Sequence, residues 1–285
     1  MPIGWLIDWQ TAPAPWVTLL AGLALYVVGV TRLRRRGRSW SRRRSATFLA
    51  GWGVLLIALC SPLAAHDESF PVHMVQHLLI GMLAPLLFAL SAPITLALRV
   101  LRPVDRRSLV RILHSRAARA LAFPPIGALI YTASLWTLYL TPLFAQTLDH
   151  PLLHEALHVH FLLVGCLFMW PLVGLDPVGS RSSMRVRIGV LLLALGSHAA
   201  LAKLIYAGWM GGGLAHTLPT EDIHAGAQLM YYGGDAIDAA LLVIFFAQWY
   251  ARAGRALAHA ERRSTGPSIP GMHPPARRAQ ARAAR

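Results

Sequence analysis

The 285-residue chain is 55% apolar and only 14% charged, where an ordinary soluble domain carries about 25% charged residues. So few charges cannot cover a water-soluble surface, and the apolar content is too high for a mostly disordered chain. The formal net charge of +15 would suggest a nucleic-acid partner in a soluble protein, but its placement along the chain excludes that reading.

A helix needs about 20 mostly apolar residues to cross the hydrocarbon. Seven candidates occur in chain order: Ala12 to Val30, Ala46 to Ala65, Val72 to Val100, Ala117 to Leu140, Pro151 to Val173, Val186 to Met210 and Ala225 to Tyr250. A short arm, residues 1–11, precedes them. A basic tail, residues 251–285, follows, and its composition from Glu261 onward predicts disorder. The expected fold is all-α, a polytopic bundle of seven transmembrane helices. Basic residues comprise 26 arginines and one lysine. Eight arginines lie between the first and second spans, seven between the third and fourth, three after the fifth and eight in the tail. The arm and the other three loops contain none. This alternation is the positive-inside pattern, which predicts the N-terminus outside and the C-terminus in the cytoplasm. Loops on the opposite side are acidic, with Asp8, Asp67, Glu68, Asp149, Glu221 and Asp222. The first span is not a cleaved signal, because its positive cluster follows the apolar stretch. Cys60 and Cys166 form no CxxC motif. They differ in depth by roughly 15 to 20 Å, too far for a disulfide.

Of the 13 histidines, most map to the outer half or the outer loops. His73 and His77 open the third span, and His154 and His158 open the fifth. Residues four apart share a helix face, and both pairs lie roughly 3 to 10 Å below the helix starts. Two adjacent helices could therefore present four imidazoles to one point. His198, roughly 15 Å below the outer end of the sixth span, reaches the same layer. Imidazole suits copper, zinc, iron and nickel. Intramembrane polarity is costly enough that two matched pairs point to a metal or cofactor site; the competing reading is a structural polar network. His150 in the adjoining loop and Glu155 beside the histidine face are supporting candidates, Glu155 as acceptor of a ligand's second N–H. His160 points off that face. Met74, Met82 and Met230 read as core filling.

Other intramembrane polar residues are fewer. Lys203 is expected to snorkel to the interface, and because the last helix has no lysine a retinal Schiff base is set aside. Asp235 and Asp238 lie roughly 15 to 20 Å into the seventh span; pairing with Lys203 or an arginine is their expected role. Pro85 and Pro93 predict bends in the third span. Two alternatives to a metal site stand beside it: a bis-histidine haem protein and a proton-coupled transporter using Asp235, Asp238 and Lys203. No nucleophile, base and oxyanion arrangement is evident, so the expectation is a non-enzyme.

Three stretches carry a resemblance: HMVQHLLIGMLAPLLFALSAPITLALR, HEALHVHFLLVGCLFMWPLVGLDP, and the pattern D-x-x-x-G-x-x-x-M-Y-x-x-G-D from Asp222 to Asp235. Together, in order and spacing over roughly residues 45 to 250, they resemble the polytopic CtaG-type cytochrome c oxidase assembly factors. The resemblance implies a multi-pass protein of the bacterial plasma membrane that matures haem-copper oxidases, handling copper at the outer face. Its partners would be oxidase subunits or other assembly factors, with no nucleic acid. It carries over His73, His77, His154, His158, Asp222 and Asp235. Ile223 and Tyr231 depart from the family pattern, which has glutamine and tryptophan there.

Overall fold

Proline marks most of the helix starts. It stands in the first turn of the helices α1 (Pro13–Arg35), α3 (Pro62–Ala65), α4 (Phe70–Leu78), α5 (Ala84–Ser91), α6 (Pro93–Val100), α7 (Pro103–Leu113) and α9 (Pro124–Leu140). Except in α5, which continues unbroken from the turn before it, its missing N–H there removes a donor that has no intrahelical acceptor, and its fixed φ suits the helix. The other helices are α2 (Arg42–Cys60), α8 (Arg116–Leu121), α10 (Leu143–Asp149), α11 (Pro151–Val173), α12 (Met184–Tyr206), α13 (Leu214–Thr217), α14 (Thr220–Gln228) and α15 (Gly234–Ser264). The computed structural model describes residues 9, 11–66, 68–173, 175–176 and 182–264, and no strand occurs among them.

Six helical stretches are long and apolar enough to cross a membrane: Pro13–Arg35, Arg42–Ala65, Phe70–Ser91, Pro151–Val173, Met184–Tyr206 and Thr220–Ala258. The pair α9 and α10, bent by 69° at its break, supplies a seventh when counted as one span. The protein is an all-helical membrane protein, as the composition requires. Three predicted boundaries shift. The third span does not continue as one helix to Val100: Ala92 takes φ 53° and ψ 55°, and α6 starts afresh at Pro93. Residues 117–121 belong to the separate α8, so the fourth span starts at Pro124. The last helix continues past Tyr250 to Ser264, so residues 251–264 are helical, while the rest of the expected disordered tail lies outside the described residues.

The chain divides into Met1–Ile244 and Phe245–Arg285. Within the first unit, Phe70–Ser91 is the central element. Its most apolar window is 72% buried, against 17% for Pro13–Arg35. Lipid is as apolar as leucine, so helices in a bilayer associate through close contact and polar links rather than through a hydrophobic drive. Both occur here. The Tyr26 and Phe48 rings stack at 3.7 Å, Trp40 Nε1 donates to Tyr26 Oη at 2.9 Å, and Gln76 Nε2 donates to the Ala58 carbonyl at 3.0 Å. Gly165 lets α11 press on the central span: a Cβ there would lie 2.2 Å from the Gly81 carbonyl oxygen.

Two single π-helical turns interrupt this region, Leu79–Leu83 directly after α4 and Leu229–Gly233 between α14 and α15. Such turns cluster at functional sites because the wider ring re-aims the side chains that flank it. The first follows His77 immediately, and the second precedes Gly234.

Candidate metal centre

The histidines predicted from spacing do gather. α4 places His73 and His77 one turn apart, 8% and 6% exposed. α11 carries His154 and His158, whose Nε2 atoms approach to 3.1 Å. His73 and His154 face each other edge-on with ring centroids 5.9 Å apart. α12 brings His198, 3% exposed, against His77, with centroids 6.2 Å apart and planes 17° apart. The arrangement is a file running from His158 and His154 through His73 to His77 and His198.

The four imidazoles predicted to converge line one small cavity, and His198 extends them into a file. Among the described residues no three His, Cys, Asp or Glu side chains are grouped so that they could hold one ion. A rise of 1.5 Å per residue sets His77 about 6 Å deeper than His73, where it lines a cavity with His154 and His158 and also meets His198 of α12. Four buried imidazole nitrogens have no hydrogen-bond partner in the described structure: His73 Nδ1, His77 Nε2, His158 Nδ1 and His198 Nε2. Buried polar atoms are nearly always satisfied, so four in one cluster call for a ligand, an ion or water.

The space between them suits something small. A cavity of about 20 Å³ is lined by His73, His77, Thr147, His154, His158 and Phe161, among others. That is room for a water molecule or an ion, against about 300 to 1,000 Å³ for an organic cofactor pocket. The His154–His158 spacing also suits an ion, since two nitrogens 2.0 Å from a tetrahedral centre lie about 3.3 Å apart. Thr147 and His154 also line a neighbouring cavity of about 270 Å³ with Glu68 and Glu155. Both carboxylates are exposed, so the wall of this cavity beside His154 is acidic.

Residues that spacing did not single out complete the site. Tyr139, fully buried at the end of α9, places Oη 3.3 Å from His73 Nε2 and 3.6 Å from Met74 Sδ. Its signal in the sequence was weak, an aromatic with a polar tip at a span end. Thr147 and Phe161 carried none. Asp176 stood inside the conspicuous WPLVGLDP run without being weighed. Its carboxylate accepts from Thr95 N at 2.7 Å, Thr95 Oγ1 at 2.5 Å and Trp170 Nε1 at 3.0 Å, tying the start of α6 to the end of α11.

The remaining candidates lie apart. His150 is exposed at the end of α10, and His160 pairs with Ser134 at 2.9 Å on an exposed face. Asp222 is half-buried in the first turn of α14. Among the described residues neither Asp235 nor Asp238 forms an ion pair; Asp235 is exposed and Asp238 is 5% exposed. Lys203 Nζ lies 5.3 Å from the Tyr231 ring centre, a cation–π contact in place of the expected pairing. Both cysteines are free thiols.

The model of the cytochrome c oxidase caa3 assembly factor family (Caa3_CtaG) matches residues 24–252. The chain belongs to that family. The matched stretch contains all five histidines of the file. Among relatives of this chain, the uncharacterized protein Mb0105 of Mycobacterium bovis is 38% identical over 190 residues, which are 63% of this chain and 29% of the relative. The uncharacterized protein ML1998 of Mycobacterium leprae is 34% identical over 182 residues, 61% of this chain and 28% of the relative. The matched stretch thus covers under a third of these relatives. No solved structure matches the chain.

Proposed function

We propose that this assembly factor takes up copper at the arginine-poor end of its helices and supports its insertion into a cytochrome c oxidase at the bacterial plasma membrane. The observation that carries the reading is the His154–His158 pair, with Nε2 atoms 3.1 Å apart beside the unpartnered His73 Nδ1. Imidazole is a copper ligand, and copper is a constituent of the oxidase that the family assembles. The protein acts as a carrier, not a catalyst: copper is its cargo, held by two or more nitrogens and released by ligand exchange to an oxidase subunit or another assembly factor. Glu68 and Glu155 raise the local cation concentration. In this reading Asp222 and Asp235 support the helix that backs the site and are not ligands.

Element-resolved metal analysis of detergent-purified protein tests it, comparing wild type with the variant carrying His73→Ala, His77→Ala, His154→Ala and His158→Ala. Near-stoichiometric copper in wild type and its loss in the variant is the expected result. Equal, negligible copper in both after washing would overturn the reading, and stoichiometric iron with a Soret band would replace it with haem binding.

A further inference from the structure

The inner end of the histidine file has its own geometry. His77 and His198 belong to different spans, and the Nε2 of each is buried without a partner. Their ring centroids lie 6.2 Å apart. A direct N–H···N hydrogen bond would bring two imidazole centres to roughly 5 Å. Two imidazoles bound end-on to one linear ion, each nitrogen near 2.0 Å from it, stand roughly 6 Å apart. The centroid separation of this near-parallel pair is that of two imidazoles bridged by one ion.

The walls around this gap are apolar and close. The Phe161 ring meets His77 edge-on at 5.6 Å. Gly234 leaves room for the His198 imidazole: a Cβ there would lie only 2.4 Å from His198 Cε1. Among the described residues no third His, Cys, Asp or Glu joins the pair. Zinc takes four ligands in its structural sites, and a divalent charge in so dry a place would stand undercompensated. Cuprous ion carries one charge, has a filled d shell and accepts two nitrogens in line.

We propose that His77 and His198 form a second, deeper station, a two-coordinate site for cuprous copper. The station rests on the copper reading above. It is loaded from the His154–His158 pair by ligand exchange past His73, whose Nδ1 is the unpartnered nitrogen between them. Each exchange breaks one copper–nitrogen bond and makes another. The ion stays cuprous, no electron moves, and neutral imidazoles both give and receive it.

The test is anaerobic loading of the detergent-purified full-length protein with cuprous ion. Bound copper is counted by elemental analysis, and its coordination is read by X-ray absorption. Wild type is expected to retain a second copper beyond the outer one, with part of the signal from a two-nitrogen linear site. The double variant His154→Ala with His158→Ala is expected to lose the outer copper and to fill the linear site far more slowly than wild type, because its loading route is cut. His198→Gln, which preserves size and polarity and guards against simple misfolding, is expected to lose the linear component and keep the outer copper. If His198→Gln and His77→Gln both retain wild-type copper and spectrum, the inner station is wrong while the outer reading stands. If wild type retains no copper, both fall together.

Discussion

At the scale of single residues, Tyr139 shows what the histidine spacing left out. Its hydroxyl is the partner of the buried His73 Nε2 and also reaches Met74 Sδ, so it holds the imidazole whose other nitrogen faces the cavity. Tyr139→Phe removes that partner and leaves a buried nitrogen unsatisfied, a cost of about 1 to 3 kcal/mol. The expected outcome is a lower unfolding midpoint for the detergent-solubilised variant and a His73 ring free to turn, with weaker copper retention. An unchanged midpoint and unchanged copper would remove Tyr139 from the site. The His73–His77 and His154–His158 pairs were legible because i and i+4 fix a shared face whatever the surroundings. Which imidazole meets which was not, because that depends on how neighbouring helices are offset along their axes.

At the scale of elements, the positions of breaks were legible and their consequences were not. Pro93 announced an interruption of the third span, yet only the structure shows α6 starting anew from Ala92 at positive φ, with its first N–H groups received by Asp176 of a distant loop. A carboxylate on the N–H groups of a helix start both satisfies them and complements the helix dipole. Asp176→Ala removes this acceptor, together with the acceptor of Trp170 Nε1, and is expected to destabilise the protein by about 2 kcal/mol or more. Asp176→Asn should fall between the two, because an amide keeps one acceptor oxygen. Thermal unfolding of the three purified proteins checks the ranking. Neither π-helical turn has a sequence marker that periodicity detects: each shifts the register by a single residue, and the apolar pattern of Leu79–Leu83 reads equally well as α-helix.

At the scale of the whole molecule, charge and apolar length carry the architecture. The arginine clusters that alternate between loops predict which end of the helices faces the cytoplasm. That prediction is checked by single cysteines at Glu68→Cys and Arg107→Cys, both exposed positions, in a background lacking Cys60 and Cys166. A membrane-impermeant thiol reagent on intact cells is expected to label the first and spare the second. The reverse pattern would put the histidine file on the cytoplasmic side and break its link with an outer copper supply. The family match over residues 24–252 spans both the helices of the bundle and the histidine file.

The sequence by itself determined that the chain is a multi-helix membrane protein, that proline marks several of its helix starts, and which histidines share a helix face. These follow from local composition, from proline and from the helical repeat, all of which act over a few residues. Only the tertiary structure decided that His77 meets His198, that Tyr139 and Asp176 serve neighbours far along the chain, and that four imidazole nitrogens are left buried without partners. Those outcomes depend on the axial offset and close approach of separate helices, set where Gly165 meets Gly81 and Gly234 meets His198, and no local pattern encodes such an offset.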